Sequence, residues 1–343
     1  MRRINTVDKI IKTLKKLGFN RDSRVINFTH CDLDGMISTI NLLEYLKDGN
    51  LFHTMKNYNN INESVINVIK GNCVFKNPDF VFLTDISMSE KVAKHVSRKS
   101  KPYYVVIDHH DTARVLNGVS PLYYVYDGDD KCGAELTFDV IEGVGGYTCL
   151  EPLRRLNRIA TQYDCWLWKD EKYLKFEIAG QKRALAEMLN RLFFSYYSYG
   201  KEDFISRWRN GWRKGFDKKE IDFLKQSYND AKDYIDNLED VCELTEGTVL
   251  VVAKTFLNDV SEHFLDKKGY KLCFISNGKN KLSVRGKDVG YDVGAVLKRL
   301  EEKDYVVSAG GHKDAGGVHL SGFGDIEQFI EDYLVEEDIE RKL

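Results

Sequence analysis

No Cys-x-x-Cys pair occurs in the 343-residue chain, although seven cysteines are scattered through it. An odd number without metal-ligand spacing argues against a disulfide framework and a structural zinc site, and favours a reducing cytoplasm. Charge of one sign is missing too. Lysine plus arginine number 51 against 53 aspartate plus glutamate, a net charge of −2. No global basic field draws in long nucleic acid, so a polyanion must meet a local patch. No long apolar run is present, so no membrane span is expected. Lysines 9, 12, 15 and 16 interrupt the amphipathic N-terminal stretch, which reads as a capping helix over 1–20 and not as the core of a signal peptide. Proline is absent from 180–245 and glycine is sparse there; this charged stretch reads as helical throughout.

What the sequence does have is acid and imidazole directly behind apolar runs. The stretches are Thr-His-Cys-Asp-Leu-Asp-Gly (29–35), Leu-Thr-Asp (83–85), Ile-Asp-His-His (107–110) and Gln-Tyr-Asp (162–164). The runs Val25–Phe28, Phe80–Leu83 and Tyr103–Ile107 read as buried strands, and from about 24 to 125 such runs alternate with helical segments, as in β-α-β units. Carboxyl ends of parallel strands share one edge, where ligands bind. Seven groups would converge there: His30, Asp32, Asp34, Asp85, Asp108, His109 and Asp164. So many carboxylates need positive charge between them, and oxygen-rich ligands with imidazole suit manganese or magnesium. His30, Asp32 and Asp34 alternate, so an extended segment would point them the same way. Two divalent ions roughly 3.5–4 Å apart would suit hydrolysis at phosphorus, with His110 placed to protonate a leaving oxygen or hold the phosphate.

Length favours two domains. The expected architecture is α/β: an N-terminal domain (1–195) with a parallel sheet flanked by helices, a helical connector (196–246) and a smaller α+β domain (247–343). In the last, Thr248–Ala253 reads as a strand, Tyr270–Ser276 and Lys281–Arg285 as a hairpin, and Asp292 as a helix cap. Phe204, Trp208 and Trp212 are spaced four apart among arginines; a helix packing its aromatic face is favoured over a nucleic-acid surface. Tyr196, Tyr197 and Tyr199 are read the same way. Trp166 and Trp168 read as walls of the site, and Gly143–Gly146 as a helix end.

Thr-His-x-Asp-x-Asp-Gly, a strand ending in Asp, Asp-His-His and a helix-borne Asp resemble the DHH phosphoesterases. Ser-Val-Arg (283–285), Asp-Val-Gly-Ala-Val-Leu (292–297) and Ala-Gly-Gly-His-Lys-Asp-Ala-Gly-Gly (309–317) resemble the associated DHHA1 domain. The likeness covers roughly 24–165 and 248–325. Leu-Thr-Asp-Ile-Ser, Ile-Asp-His-His-Asp-Thr-Ala, Gln-Tyr-Asp-Cys-Trp-Leu-Trp and Leu-Asn-Arg-Leu-Phe-Phe look most like the nanoRNase B oligoribonuclease branch. Ala309 departs from the longer glycine run of many relatives.

The resemblance implies one metal on His30, Asp32 and Asp85, and another on Asp34, Asp85, His109 and Asp164, with Asp85 bridging. It implies that Asp108 orients the histidines, that His110 contacts the scissile phosphate, and that Arg285 and His312 grip substrate phosphates, with Gly310 and Gly311 allowing close approach. The implied protein uses two manganese ions (Mn2+), or magnesium (Mg2+), in a cleft between domains to hydrolyse short oligoribonucleotides to mononucleotides. The alternatives are a cyclic mono- or dinucleotide phosphodiesterase and a RecJ-like single-strand DNA exonuclease. A non-catalytic nucleotide sensor is disfavoured because every ligand position holds a competent residue. The partner expected is short RNA or a nucleotide, not a membrane; oligomeric state, a homodimer included, stays open.

Overall fold

Val25–Thr29 (β1), Phe80–Thr84 (β3) and Tyr103–Asp108 (β4) are runs of β-branched and aromatic residues, buried along almost their whole length. Such runs have no polar face and suit the middle of a parallel sheet covered on both sides. In the computed structural model, which describes residues 6–98, 100–128, 130–147, 150–199 and 201–340, they lie side by side. Leu51–Met55 (β2) and Tyr123–Val125 (β5) complete an all-parallel sheet of order β2-β1-β3-β4-β5. After β1 the chain moves outward to β2 and then returns to the other side for β3. The β1/β3 gap is therefore the switch point, where a crevice opens at the carboxyl edge.

The helices of this part are Val7–Lys16 (α1), Leu33–Tyr45 (α2), Ile61–Ile69 (α3), Glu90–Val96 (α4), Gly133–Val144 (α5) and Leu150–Asp164 (α6). Leu153, Leu156, Ile159 and Ala160 form the buried stripe of α6, the apolar spacing of a helix packed on one side. Helix α2 is buried nearly all round. Its Leu33, Met36, Ile37 and Ile40 share a second core with residues of α5, α6 and the helices that follow. Leu174–Ile178 (β6) and Gln181–Ala184 (β7) pair as a hairpin, followed by Leu185–Tyr199 (α7), Lys201–Trp208 (α8) and Lys218–Asp236 (α9). Phe204, Trp208 and Trp212 are buried, with Trp208 and Trp212 stacked 4.7 Å apart, so this trio is core. The side chains of Tyr197 and Tyr199 lie outside the described residues.

The chain divides into two compact units, 1–224 and 225–343. The second holds Val241–Thr245 (β8), Thr248–Val252 (β9), Leu257–Glu262 (α10), Leu272–Ser276 (β10), Lys281–Gly286 (β11), Val293–Leu300 (α11), Val306–His312 (β12), Ala315–Leu320 (β13) and Asp325–Glu340 (α12). Its sheet runs β12-β13-β11-β10-β9-β8, with only β9 and β10 parallel. Leu272 and Phe274 face the α11 and α12 side, whereas Cys273 and Ile275 face α10, the period-two alternation of a sheet covered on both faces. Asp292 caps α11 by accepting from Ala295 N–H at 2.9 Å.

Two strands fall where helix is expected. Residues 181–184 pair with β6 and residues 241–245 pair with β9; both assignments rest on partners outside the stretch itself, so propensity within 180–245 does not reveal them.

Three helices that carry or support the carboxyl-edge residues are tied by one buried amide pair. Asn41 of α2 and Asn157 of α6 exchange hydrogen bonds of 2.8 and 3.0 Å, and Asn41 also donates to the Ala134 carbonyl of α5 at 3.0 Å. Asn157→Ala removes two of these and leaves buried Asn41 short of partners. It should destabilise the fold by about 1–3 kcal/mol in urea unfolding; an unchanged midpoint would show that the pair is not a tie.

Candidate metal centre

Each of the seven acid and imidazole groups is delivered by the end of a strand or helix. His30 follows β1, and Asp32 caps α2 by accepting from Gly35 N–H at 2.9 Å. A side chain at position 35 would place Cβ 2.4 Å from the His30 carbonyl oxygen, so the turn requires glycine. Asp34 already lies inside α2; alternation along an extended segment is therefore not what orients it. Its two oxygens instead accept from Gly133 and Ala134 N–H at 2.7 and 2.6 Å, anchoring it on the positive end of α5.

Asp85 follows β3 with φ +58, a left-handed conformation uncommon for a residue with a side chain. Asp108 ends the neighbouring strand β4, and His109 and His110 continue from it. Asp164 is the last residue of α6.

Two fully buried aspartates on adjacent strands have opposite surroundings. Asp108 is saturated: Ser87 Oγ donates to one oxygen, while His109 N–H (2.8 Å), His110 N–H (3.2 Å) and His110 Nδ1 (2.8 Å) converge on the other. Burial works against its charge, but His110 and His109 beside it and the Ser87 hydroxyl hold its carboxyl below the usual range. Asp85 is 1% exposed, and among the described residues neither of its oxygens has a hydrogen-bond partner. Burial first, then repulsion from Asp32, Asp34, Asp164 and Asp108, pushes its carboxyl far up. The Nε2 of His109 is likewise buried without a partner. It lies 3.3 Å from Asp85 Oδ1, 3.3 Å from Asp164 Oδ2 and 3.6 Å from Asp34 Oδ2. His30 Nδ1 contacts Asp32 and lies 3.9 Å from Asp85 Oδ2.

Oxygen and nitrogen atoms left unpaired inside protein cost free energy unless a cation or hydrogen-bond donor meets them. Three overlapping groups could hold a metal ion: His30, Asp32 and Asp85; Asp34, His109 and Asp164; and Asp85, His109 and His110. Asp85 belongs to two of them, and the donor set of carboxylate oxygen and imidazole nitrogen fits a hard or borderline divalent ion.

The structure brings together all seven groups and His110. In the second unit, Arg285 on β11 and His312 on β12 each register with Ala315 of β13. Arg285 Nη1 donates to the Val284 and Gly316 carbonyls at 3.0 and 3.1 Å; the His312 side chain lies outside the described residues. A Cβ at Gly311 would meet the Ala315 carbonyl oxygen at 2.3 Å, while Gly310 faces open space. Close packing on β13 thus accounts for glycine at 311 but not at 310.

Sequence reasoning missed three contributors. Ser87 holds Asp108. Gly133 leaves room for the site, since a Cβ there would lie 2.7 Å from Asp85 Cβ and 3.0 Å from Asp34 Oδ2. Tyr58 sets its ring edge-on to His110 at 5.9 Å and tilted to His30 at 5.7 Å. The Cys-Gly-Ala step opening α5 is a readable helix start, but nothing local links it to Asp34.

The protonation states give a stability signature. Burial and the neighbouring Asp34 push the Asp164 carboxyl up to about 7. Burial opposes charge on His110, yet Asp108 raises it to about 9. Both folded values exceed the ordinary ones, so each contribution is complete at low pH and is lost as pH rises, for Asp164 up to about 7 and for His110 up to about 9. Metal-free protein should therefore melt at a higher temperature at pH 5.5 than at pH 8.5. Saturating manganese, at ~100 times its dissociation constant, adds about 2.7 kcal/mol per site, and its melting shift should be larger at pH 8.5. A flat metal-free profile between those values contradicts the assignment.

A family model described as DHH family, N-terminal domain matches residues 24–163. A sequence search of curated proteins gives no match. Among solved structures, RecJ from Thermus thermophilus in complex with Mn2+ is similar at a TM-score of 0.62 and 12% identity, over 100% of this chain and 56% of that one. An exonuclease RecJ bound to manganese gives 0.56 and 11%, covering 98% and 95%. An exopolyphosphatase-related protein from Bacteroides fragilis gives 0.50 and 12%, covering 100% and 99%. At such identities the likeness is one of fold. Among the described residues no helix is long and apolar enough to cross a membrane. The family model covers less than half of the chain, residues 24–163, and the solved structures share the fold.

Proposed function

We propose that the chain is a metal-dependent phosphoesterase that hydrolyses phosphodiester links in short oligoribonucleotides. The observation that carries this reading is the buried, partnerless carboxylate of Asp85 set between two groups of oxygen and imidazole donors. His30, Asp32 and Asp85 would hold one ion and Asp34, Asp85, His109 and Asp164 the other, manganese or magnesium, the ions found with the RecJ structures. When bound, such a pair supplies a hydroxide near neutral pH and neutralises charge on the phosphoryl oxygens.

The remaining roles belong to side chains. Asp108 holds His110 Nδ1 and both histidine amides, so it would orient the His110 ring and the backbone that carries both imidazoles. Asp108 beside the His110 imidazole favours its protonated form, the form that can hold a phosphate oxygen or give a proton to the leaving oxygen. Arg285, Gly310, Gly311 and His312, on two strands that flank β13, form the proposed phosphate grip of the second unit.

A single-strand DNA exonuclease is the second reading, favoured by the fold shared with RecJ at TM-scores of 0.62 and 0.56. Offering a short RNA, a long single-stranded DNA and cyclic AMP to the manganese-loaded protein separates the readings. Short RNA should be cleaved fastest and a chelator should stop the reaction. Preference for the long DNA by orders of magnitude would reverse the ordering. His110→Asn should lower kcat about 10²–10⁴-fold while manganese binding by calorimetry persists; an unaffected kcat would remove His110 from the chemistry.

A further inference from the structure

Of the four tryptophans, Trp168, Trp208 and Trp212 are buried and only Trp166 is open, at 40% exposure. It stands two residues beyond Asp164, so its Cα lies no more than about 7.6 Å from that of Asp164, two trans-peptide spans of ~3.8 Å each. Its backbone is left-handed, at φ +59 and ψ +11, which is a genuine outlier for so bulky a side chain. Such strain persists where the surroundings enforce it, and it clusters at ligand sites.

The conformation builds a ladder of rings. Tyr163 and Trp168 stack 5.8 Å apart at 11°, and Trp168 and Trp166 follow at 6.4 Å and 26°. Trp166 is the outer rung. Lys169 Nζ sits 4.7 Å from the Trp166 ring centre and 5.7 Å from that of Trp168. No carboxylate among the described residues pairs with this ammonium, whereas the nearby Lys172 is paired with Asp170 at 2.8 Å. An exposed flat ring with an uncommitted cation beside it matches a ligand that is itself flat and anionic. Single-stranded nucleic acid is bound elsewhere by this combination of stacking and positive charge.

We propose that Trp166 is the stacking platform for the nucleobase adjoining the scissile phosphodiester, and that Lys169 faces the phosphate of the same nucleotide. The inference rests on the phosphodiesterase reading and adds to it a base-recognition subsite on the first unit.

The test compares a dinucleotide with the same link carrying an abasic residue on the side nearest the site. In wild type the base-bearing link should be favoured in kcat/KM. Trp166→Ala should reduce that preference about 5- to 150-fold, the range of one base stack, and Trp166→Phe should restore part of it. On the unaltered protein with manganese, adenosine monophosphate should quench tryptophan emission and ribose 5-phosphate should not. Equal preference in wild type and W166A, or no quenching by the nucleotide, would overturn the subsite and leave this face to a protein partner. If wild type cleaves neither link, the phosphodiesterase reading falls and the subsite with it.

Discussion

A carboxylate sealed from water with no hydrogen-bond partner among the described residues is the constraint around which the first unit is arranged. Asp85 is 1% exposed and pressed upon by four other aspartates. A fold does not keep such a group unless something compensates it. Its neighbour Asp108, equally buried, shows the alternative: four donors meet it and hold it charged. The two differ in what their surroundings withhold. Around Asp108 the protein supplies every partner. Around Asp85 stand further carboxylates and imidazoles, an arrangement that a cation would complete.

The rest of the architecture serves that edge. Parallel order β2-β1-β3-β4-β5 opens a crevice between β1 and β3, where His30 and Asp85 emerge. A buried network beneath, in which Thr84 Oγ1 donates to Asn27 Oδ1 at 3.1 Å and Asn27 donates to Thr39 at 3.0 Å, ties β1, β3 and α2. The start of α5 holds Asp34, the Asn41–Asn157 pair docks α6, and α6 delivers Asp164. The second unit has its own two cores on the faces of its own sheet and carries Arg285, Gly310 and Gly311 on the two strands that flank β13.

Much of this was legible in the sequence, because the signals are local. A five-residue apolar run followed at once by Asp or His suggests both the strand and the end that carries polar groups, and so β1, β3 and β4 and the acid and imidazole residues at their ends were readable. The hairpin over 272–286 and the Asp292 cap were readable for the same reason. What could not be read depends on distant partners. Asp34 looks like the third tooth of an alternating comb, yet it is a helical residue pinned by amides a hundred positions away. Gly133 carries no motif, and its need for a missing side chain appears only when Asp85 packs against it. Strands β7 and β8 sit in a helix-like composition and exist because β6 and β9 lie beside them. Trp166 and Trp168 read alike as walls; that their rings stack, with Trp168 buried and Trp166 exposed, depends on the left-handed turn at Trp166 and could not be read locally.

The central claim is that Asp85 is shared by two cations. Electron paramagnetic resonance of the manganese-titrated protein tests it most directly. The account predicts two ions per chain with an exchange-coupled spectrum, replaced in Asp85→Asn by the signal of isolated ions or by loss of binding. Saturation at one ion, or a coupled pair that survives the substitution unchanged, would contradict it.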